Sequence, residues 1–251
     1  PNPTDDGKIK ALTPMGSFFS RGSFDTFEQM TQVVAFGGEI VHLHPWGALY
    51  REQNAELLVS DVHLGKISHF RKHGAAVPLQ ATSRNFKRLD GLIQTFRPQS
   101  IIFLGDLFHS HMNREWDFFA SWVKTCQAKL LLVEGNHDIL GAQPFEKIGI
   151  QVCSSLISEP FTYSHHPLKT FVGYNICGHI HPAVRLRGDG RQSVRVPCFH
   201  LRNRQLILPA FGAFTGSHVM KIKAGDAVYA LAEDSIIPIA PATPSESQPG
   251  L

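Results

Sequence analysis

Ile101-Ile102-Phe103-Leu104-Gly105-Asp106 decides how this chain is read: an unbroken apolar run passes directly into a glycine and a carboxylate. A short continuous apolar run predicts a strand buried on both faces, as in a parallel sheet covered by helices. The same pattern occurs on either side. Leu57-Leu58-Val59 runs into Ser60-Asp61-Val62-His63, and Leu130-Leu131-Leu132-Val133 runs into Glu134-Gly135-Asn136-His137-Asp138. Between these strands the apolar spacing changes to helical. Leu79, Phe86, Leu89, Ile93 and Phe96 predict a helix over Pro78–Phe96, and a second is expected over Trp116–Thr125. Three strand–polar loop–helix units in series imply parallel strands with right-handed crossovers. Their polar clusters then gather along one edge of the sheet, where open α/β sheets place their ligands.

Further out the texture changes. Glu39–Leu43 and Ala48–Tyr50 predict two short strands around the turn His44-Pro45-Trp46-Gly47. After about residue 150, short strands separated by Gly and Pro turns suggest a mostly antiparallel second half. Two sheets packed face to face, with helices outside, is the expected α/β architecture. The chain has 251 residues, 43% hydrophobic and 18% charged, which suits one large domain with a sizeable core. The domain is placed at 39–240, with an N-terminal arm at 1–38 and a disordered Pro/Ser-rich tail at 241–251.

Composition excludes some classes and leaves others open. A formal net charge of +3 is compatible with an anionic substrate but does not by itself point to nucleic acid. Cys126, Cys153, Cys177 and Cys198 form no CxxC pair, which excludes a zinc ribbon or a thioredoxin-like motif and suggests reduced thiols. No apolar run approaches the ~18–20 residues that span a bilayer. No membrane association is expected, and the cytoplasm is the expected location.

The chemistry lies in five clusters in order: Asp61-Val62-His63, Gly105-Asp106, Gly135-Asn136-His137-Asp138, Ser164-His165-His166-Pro167, and Gly178-His179-Ile180-His181. All offer carboxylate or amide oxygen or imidazole nitrogen, and none offers a thiolate. That donor mixture suits manganese, iron or zinc better than calcium or a structural zinc. Asp-x-His and His-x-His place both side chains on one side of an extended segment leaving a strand. Any single fragment would pass as an ordinary turn. The ordered set, with three fragments directly following buried strands, points to a metal centre.

On these residues, from Leu57 to His181, the chain resembles the calcineurin-like metallophosphoesterases. The resemblance implies a four-layer αββα sandwich of two mixed sheets, with two divalent cations at the strand ends, Mn2+ first and Fe or Zn as alternatives. Asp61, His63 and His181 would hold one cation, Asn136, His165 and His179 the other, and Asp106 would bridge them. Hydrolysis would proceed by attack on phosphorus of hydroxide generated between the cations. His137 would stand beside the metals as a catalytic group, with Asp138 fixing its orientation.

Three further segments narrow the resemblance. They are Leu64-Gly65-Lys66 continuing to His73-Gly74, Leu107-Phe108-His109 with Asn113-Arg114-Glu115-Trp116, and Pro182–Gly188 with Leu208–Gly216. Together they resemble the bacterial ligase-associated metallophosphoesterases, which implies a phosphodiesterase or endonuclease acting on single-stranded or damaged DNA in repair. Its partners would be an ATP-dependent DNA ligase and a DEXH-box helicase. His166 stands where that subgroup usually has glutamate, and Ser217 replaces a usual glycine. Lys66, Arg71 and Arg185 are the candidate phosphate contacts of a basic rim that also draws on Lys72, Arg187, Arg191 and Arg195. Phe70, Phe211 and Phe214 are candidate stacking faces. Arg114 is a further candidate, at a helix start that Asn113 would cap. The competing readings are a small-molecule phosphoesterase, such as a nucleotide or UDP-diacylglucosamine pyrophosphate hydrolase, and a non-catalytic metal-bound scaffold. The presence of His137 and the full donor set argues against the scaffold.

Overall fold

The computed structural model describes residues 30–66, 80–187, 192–213 and 215–239, with residues 80–82 described by backbone only. In the first sheet the strands lie in chain order: β1 (Gln32–Phe36), β2 (Glu39–His44), β3 (Ala48–Arg51), β4 (Glu56–Val59), β5 (Ser100–Leu104), β6 (Lys129–Val133) and β7 (Ile150–Cys153). β1 to β4 run antiparallel, and β4 to β7 run parallel. The apolar runs of β4 and β5 are buried on both faces as their composition predicts. β1 falls inside the segment read as an arm. Val34 and Phe36 are buried while Val33 and Ala35 are exposed, so a clean alternation over five residues seats it as an edge strand.

Helices α1 (Gln80–Phe96), α2 (Arg114–Thr125) and α3 (Ala142–Lys147) cover the outer face of this sheet. α1 turns Leu89 and Leu92 into that core, with Phe86, Ile93 and Phe96 packed beside them. It stops at Arg97, which enters the left-handed region at φ 45 ahead of Pro98. α2 begins at Asn113, whose side chain accepts a hydrogen bond from the Glu115 N–H at 2.8 Å, and buries Trp116, Phe119 and Val123 at helical spacing.

The second sheet holds β8 (Leu156–Ser158), β9 (Phe161–Ser164), β10 (Tyr174–Cys177), β11 (Pro182–Arg187), β12 (Ser193–Arg202), β13 (Gln205–Ile207), β14 (His218–Val219), β15 (Ala227–Ala232) and β16 (Ser235–Ile239). It is mostly antiparallel, as expected, but mixed: β10 runs parallel to both β9 and β13, and β11 to β14. Leu58, Ile102, Leu104 and Val133 from the first sheet meet Tyr163, Ile176, Phe199 and Leu206 from the second in one buried layer. Burying each such side chain contributes about 1.5–3 kcal/mol. Helices on the first sheet and two mixed sheets packed face to face are as expected of the αββα sandwich. Among the described residues the outer face of the second sheet carries no helix; Val184, Cys198, Val228 and Ala230 cluster there. All four cysteines are free, and no described helix is long and apolar enough to cross a membrane.

Register is what gathers the polar clusters. Val59 pairs with Phe103 and Leu104 with Val133, so β4, β5 and β6 end level. In the second sheet Cys177 pairs with Ser164, so His165 and Gly178 leave their strands side by side.

Candidate metal centre

Five of the seven predicted donors are aimed by an unusual backbone conformation. Asp61, His63, Asp106, His179 and His181 adopt φ between 50 and 68, five of the nine non-glycine residues in the left-handed region among those described. That conformation costs on the order of 1 kcal/mol or more per residue and persists only where surrounding structure imposes it. The imposing bonds are visible. The Asp61 N–H donates to Gly105 O at 3.2 Å, the His63 N–H to Asp106 O at 2.9 Å, and the His179 N–H to Asp61 Oδ2 at 2.9 Å. Two glycines make room for this crossing. A Cβ on Gly135 would run into the backbone nitrogen of Asp106, and one on Gly178 would collide with Ser60 Oγ.

The seven predicted ligands come together in two interlocked groups. Asp61, His63 and His181 offer donor atoms within 4.8 Å of one another, as do Asp61, Asp106 and His165. Asn136 Oδ1 lies 3.0 Å and His179 Nδ1 lies 3.1 Å from His165 Nε2. Asp106 stands between the groups. Its Oδ1 is 3.5 Å from His165 Nε2, and its Oδ2 is 3.9 Å from His63 Nε2.

The donor chemistry fits cations. His165 Nδ1 lies 2.9 Å from the carbonyl of Leu104, which can only accept, so Nδ1 carries the proton and Nε2 presents a lone pair to the centre. In a neutral imidazole that lone pair faces the Asn136 carbonyl oxygen, a second acceptor. Two acceptors at 3.0 Å are reconciled by a positive charge. At His181, Nδ1 likewise meets Gly216 O at 3.0 Å, while Nε2 lies 3.1 Å from Asp61 Oδ1; burial lowers the His181 pKa, but the Asp61 carboxylate more than reverses this. Neither ring nitrogen of buried His63 has a hydrogen-bond partner. Burial, only partly opposed by Asp61, lowers the His63 pKa to about 3, so the ring is neutral at neutral pH and keeps one nitrogen lone pair free. Burial pushes the Asp61 carboxyl upward, but His181 and the Ser60 hydroxyl more than reverse this and hold it ionised.

Other predicted residues take different places. Asp138 does not orient the His137 ring. Its carboxylate accepts the N–H groups of Asp106, Leu107, Phe108 and Gly135 at 2.8–3.1 Å, stitching the β5 and β6 loops together. Burial raises Asp138 to about 6 against the pull of these N–H donors. The His137 N–H donates to Asp106 Oδ1 at 2.8 Å, and its ring lies 6.1 Å from that of His63. His166 is exposed, with its ring 4.0 Å from that of His179. Lys66 lies near enough for its charge to act on His63. Arg185 is exposed on β11, paired in register with Arg195. Arg114 is exposed, but the first turn of α2 carries Glu115 and Asp117, and one of its N–H donors already serves Asn113, which disfavours an anion there. Phe211 is 1% exposed within the core and offers no stacking face. Arg71, Lys72, Phe70, Arg191 and Phe214 lie outside the described residues.

Three further side chains support the site, two of which, Ser60 and Glu115, sequence reading missed. Ser60 donates its hydroxyl to Asp61 Oδ2. Glu115, on α2, accepts the Gly65 N–H at 2.7 Å and holds the loop after His63. The His109 ring packs 5.1 Å from His63 and 4.4 Å from His137. For Ser60, adjacency to the motifs was the available signal; for Glu115 there was none.

Comparison with known proteins agrees with this geometry. The calcineurin-like phosphoesterase family matches residues 57–208. No curated protein matches the chain. Among solved structures, the nuclease MPE of Pseudomonas putida is similar at 29% identity over 83% of this chain and all of that one, with a TM-score of 0.72. The E. coli phosphoesterase Yfce is more distant, at 14% identity over 74% of this chain and 98% of its own, TM-score 0.37. The protein AQ665 of Aquifex aeolicus covers 54% of this chain and 82% of its own at 17% identity, TM-score 0.38. With more than half of the chain matched, and oxygen and nitrogen donors converging at the level strand ends, the protein belongs to the calcineurin-like phosphoesterases and is a metal-dependent hydrolase.

Proposed function

We propose that the chain is a two-metal phosphodiesterase that cuts DNA, single-stranded or damaged. Asp61, His63 and His181 would hold one divalent cation, and Asn136, His165 and His179 the other, with Mn2+ expected first and iron or zinc as alternatives. The observation that carries the reading is the position of Asp106, whose two carboxylate oxygens face histidines of different groups. A bridging carboxylate requires that arrangement. When bound, such a pair of cations supplies Lewis acidity and a water of depressed pKa. The chain's own contribution is placement: Leu104 O and Gly216 O fix two imidazole tautomers, and the Asp138 carboxylate locks the Asp106 loop. His137 stands beside the donors, with its backbone held by Asp106, where its ring can pass a proton to a leaving oxygen.

The nuclease assignment is supported by similarity to the P. putida nuclease MPE over most of this chain. A role in ligase-associated repair, with an ATP-dependent ligase and a DEXH-box helicase as partners, rests on the sequence resemblance described above. The test is to prepare metal-free protein, restore Mn2+, and assay bis-p-nitrophenyl phosphate, p-nitrophenyl phosphate and single-stranded DNA beside an Asp106→Ala control. Cleavage of the diester and of DNA, absent in the control, is expected. Activity confined to the monoester would refute the diesterase reading and move the function to small phosphate esters.

A further inference from the structure

A second feature lies on the same edge as the metal centre. β3 runs antiparallel to β4, with Leu49 opposite Leu58, so the turn before β3 sits beside the loop that carries Asp61. β15 runs antiparallel to β12 and therefore parallel to β10, so the turn after β15 comes to that edge too. α1 starts there and returns toward the opposite edge. Between these three elements is a cavity of about 430 Å3, lined by Trp46, Arg84, Lys87, Arg88, Glu233 and Asp234. That volume lies in the range of small-ligand sites.

The lining has the chemistry of an anion site with an aromatic wall. Arg88 is half-buried, and its guanidinium lies 6.0 Å from the centroid of the Trp46 ring. Arg84, Lys87 and Arg88 form no salt bridge among the described residues, although Glu233 and Asp234 occupy the opposite rim. Burial, with Arg84 close by, lowers the Arg88 pKa to about 10, so the group stays charged at neutral pH, with no salt-bridge partner among the described residues. A half-buried cation without a partner is costly, and a bound anion relieves that cost.

The cavity is tied to the metal loop on two sides. Asn85, between Arg84 and the rest of the helix, reaches the Val62 carbonyl at 3.5 Å, between Asp61 and His63. Gly47, next to Trp46, packs against Pro209, and the segment that follows donates from Phe211 N–H to Ser60 O at 2.8 Å and from Gly212 N–H to Asp61 O at 3.1 Å. A strand seated at the candidate metal centre therefore has this cavity as a neighbour along the same edge.

We propose that the Trp46–Arg84–Arg88 cavity is a subsite for a backbone phosphate of single-stranded nucleic acid, holding the strand on one side of the scissile bond. The proposal rests on the DNA-cutting reading above and names a site that reading does not use. It predicts discrimination by length: a short diester would reach only the metals, whereas a strand would engage the cavity as well.

The test measures binding of a fluorescein-labelled oligothymidylate by anisotropy, in EDTA and over a series of salt concentrations. The full-length wild type is compared with Arg84→Glu/Arg88→Gln and with Lys124→Glu/Lys129→Gln. The second pair changes net charge equally, on exposed positions at the opposite edge. Thermal melting checks that all three are folded. The cavity variant is expected to bind about tenfold or more weakly, with a salt slope flatter by about 1–1.5, while the control pair stays within about twofold of wild type. Equal binding by the cavity variant and wild type would overturn the subsite, as would equal weakening in both variants or no binding by the wild type. If Arg84→Glu/Arg88→Gln does not melt as a folded protein, Lys87→Glu alone, on an exposed helix position, carries the same comparison. Wild type that binds the strand through the cavity but fails to cut it with Mn2+ would sink the nuclease reading and leave the subsite standing.

Discussion

Arg51, at the end of β3 away from the candidate metal centre, and His63, in the loop after β4, are both almost fully buried, yet their surroundings are opposite. Arg51 is matched donor for donor. Its guanidinium meets Glu39 at 2.5 and 2.6 Å, Glu56 at 3.0 Å, Ser158 Oγ at 2.6 Å and the Glu159 carbonyl at 2.5 Å, and Tyr163 closes the network onto Glu56. These bonds join β2, β3 and β4 to the second sheet, and nothing in them is left over for a ligand. His63 has no hydrogen-bond partner on either ring nitrogen and sits on left-handed backbone among other residues like it. Burial alone therefore says little about a polar residue's role. A satisfied network holds the sheets together, whereas unsatisfied donors converging from strained backbone form a site.

The strongest way to break that contrast is Asp106→Ala. Diester hydrolysis should fall on the order of 10³-fold, since the group facing both histidine sets is gone. The apo protein's thermal midpoint should change little, because relief of the carboxylate repulsion with Asp61 offsets the lost bond from the His137 N–H. Turnover with restored Mn2+ and calorimetry of the apo form check the two halves; a collapse in apo stability would show that Asp106 is structural. Arg51→Met should do the reverse. It leaves Glu39 and Glu56 buried without their cation and should cost about 3–5 kcal/mol in urea unfolding, while kcat of the remaining folded protein is unchanged. A loss of turnover without a loss of stability would contradict the division of labour.

Asp138→Asn sharpens the comparison, because Asp138 is a satisfied residue inside the site. Removing one of its acceptor oxygens loosens the Asp106 loop. Metal affinity by titration calorimetry should weaken about tenfold to a hundredfold, with little change in the unfolding midpoint. The smallest effect concerns His44, a buried imidazole that is no predicted ligand. Burial, with Arg88 nearby, lowers its pKa to about 4 from 6.5. The unfolded chain takes up a proton near 6.5 and the folded one only near 4, so stability is full above 6.5 and is lost as pH falls through that window. Between pH 7 and pH 5.5 this amounts to about 1 kcal/mol, which His44→Gln should remove from the pH profile of urea unfolding. An unchanged profile would mean that burial does not lower the His44 pKa in the folded protein.

Much of the site was legible because its signals are local. Asp61 with His63, and His179 with His181, are two apart, and Asp106 and Asn136 follow apolar runs within a few residues. Strand periodicity needs only such neighbours. β1 was missed because a partly exposed five-residue strand ahead of a Gly-Gly turn gives little contrast. The role of Asp138 was misread because its partners include loop N–H groups thirty and more residues back in the chain, and sequence adjacency favoured His137. Phe211 looked available beside its glycines, but the chain that carries it is pulled inward by the Phe211 N–H bond to Ser60.

The sequence by itself determined the strand–loop–helix alternation, the oxygen-and-nitrogen donor set and the edge on which the donors collect. These follow from hydrophobic periodicity and from the chemistry of the side chains. Only the tertiary structure decided that Asp106 faces both histidine groups, that Glu115 and Asp138 brace the loops, and that Trp46, Arg84 and Glu233 enclose one cavity. Those relations join residues far apart in the chain. They are set by register and by the stacking of the two sheets, which no local spacing encodes.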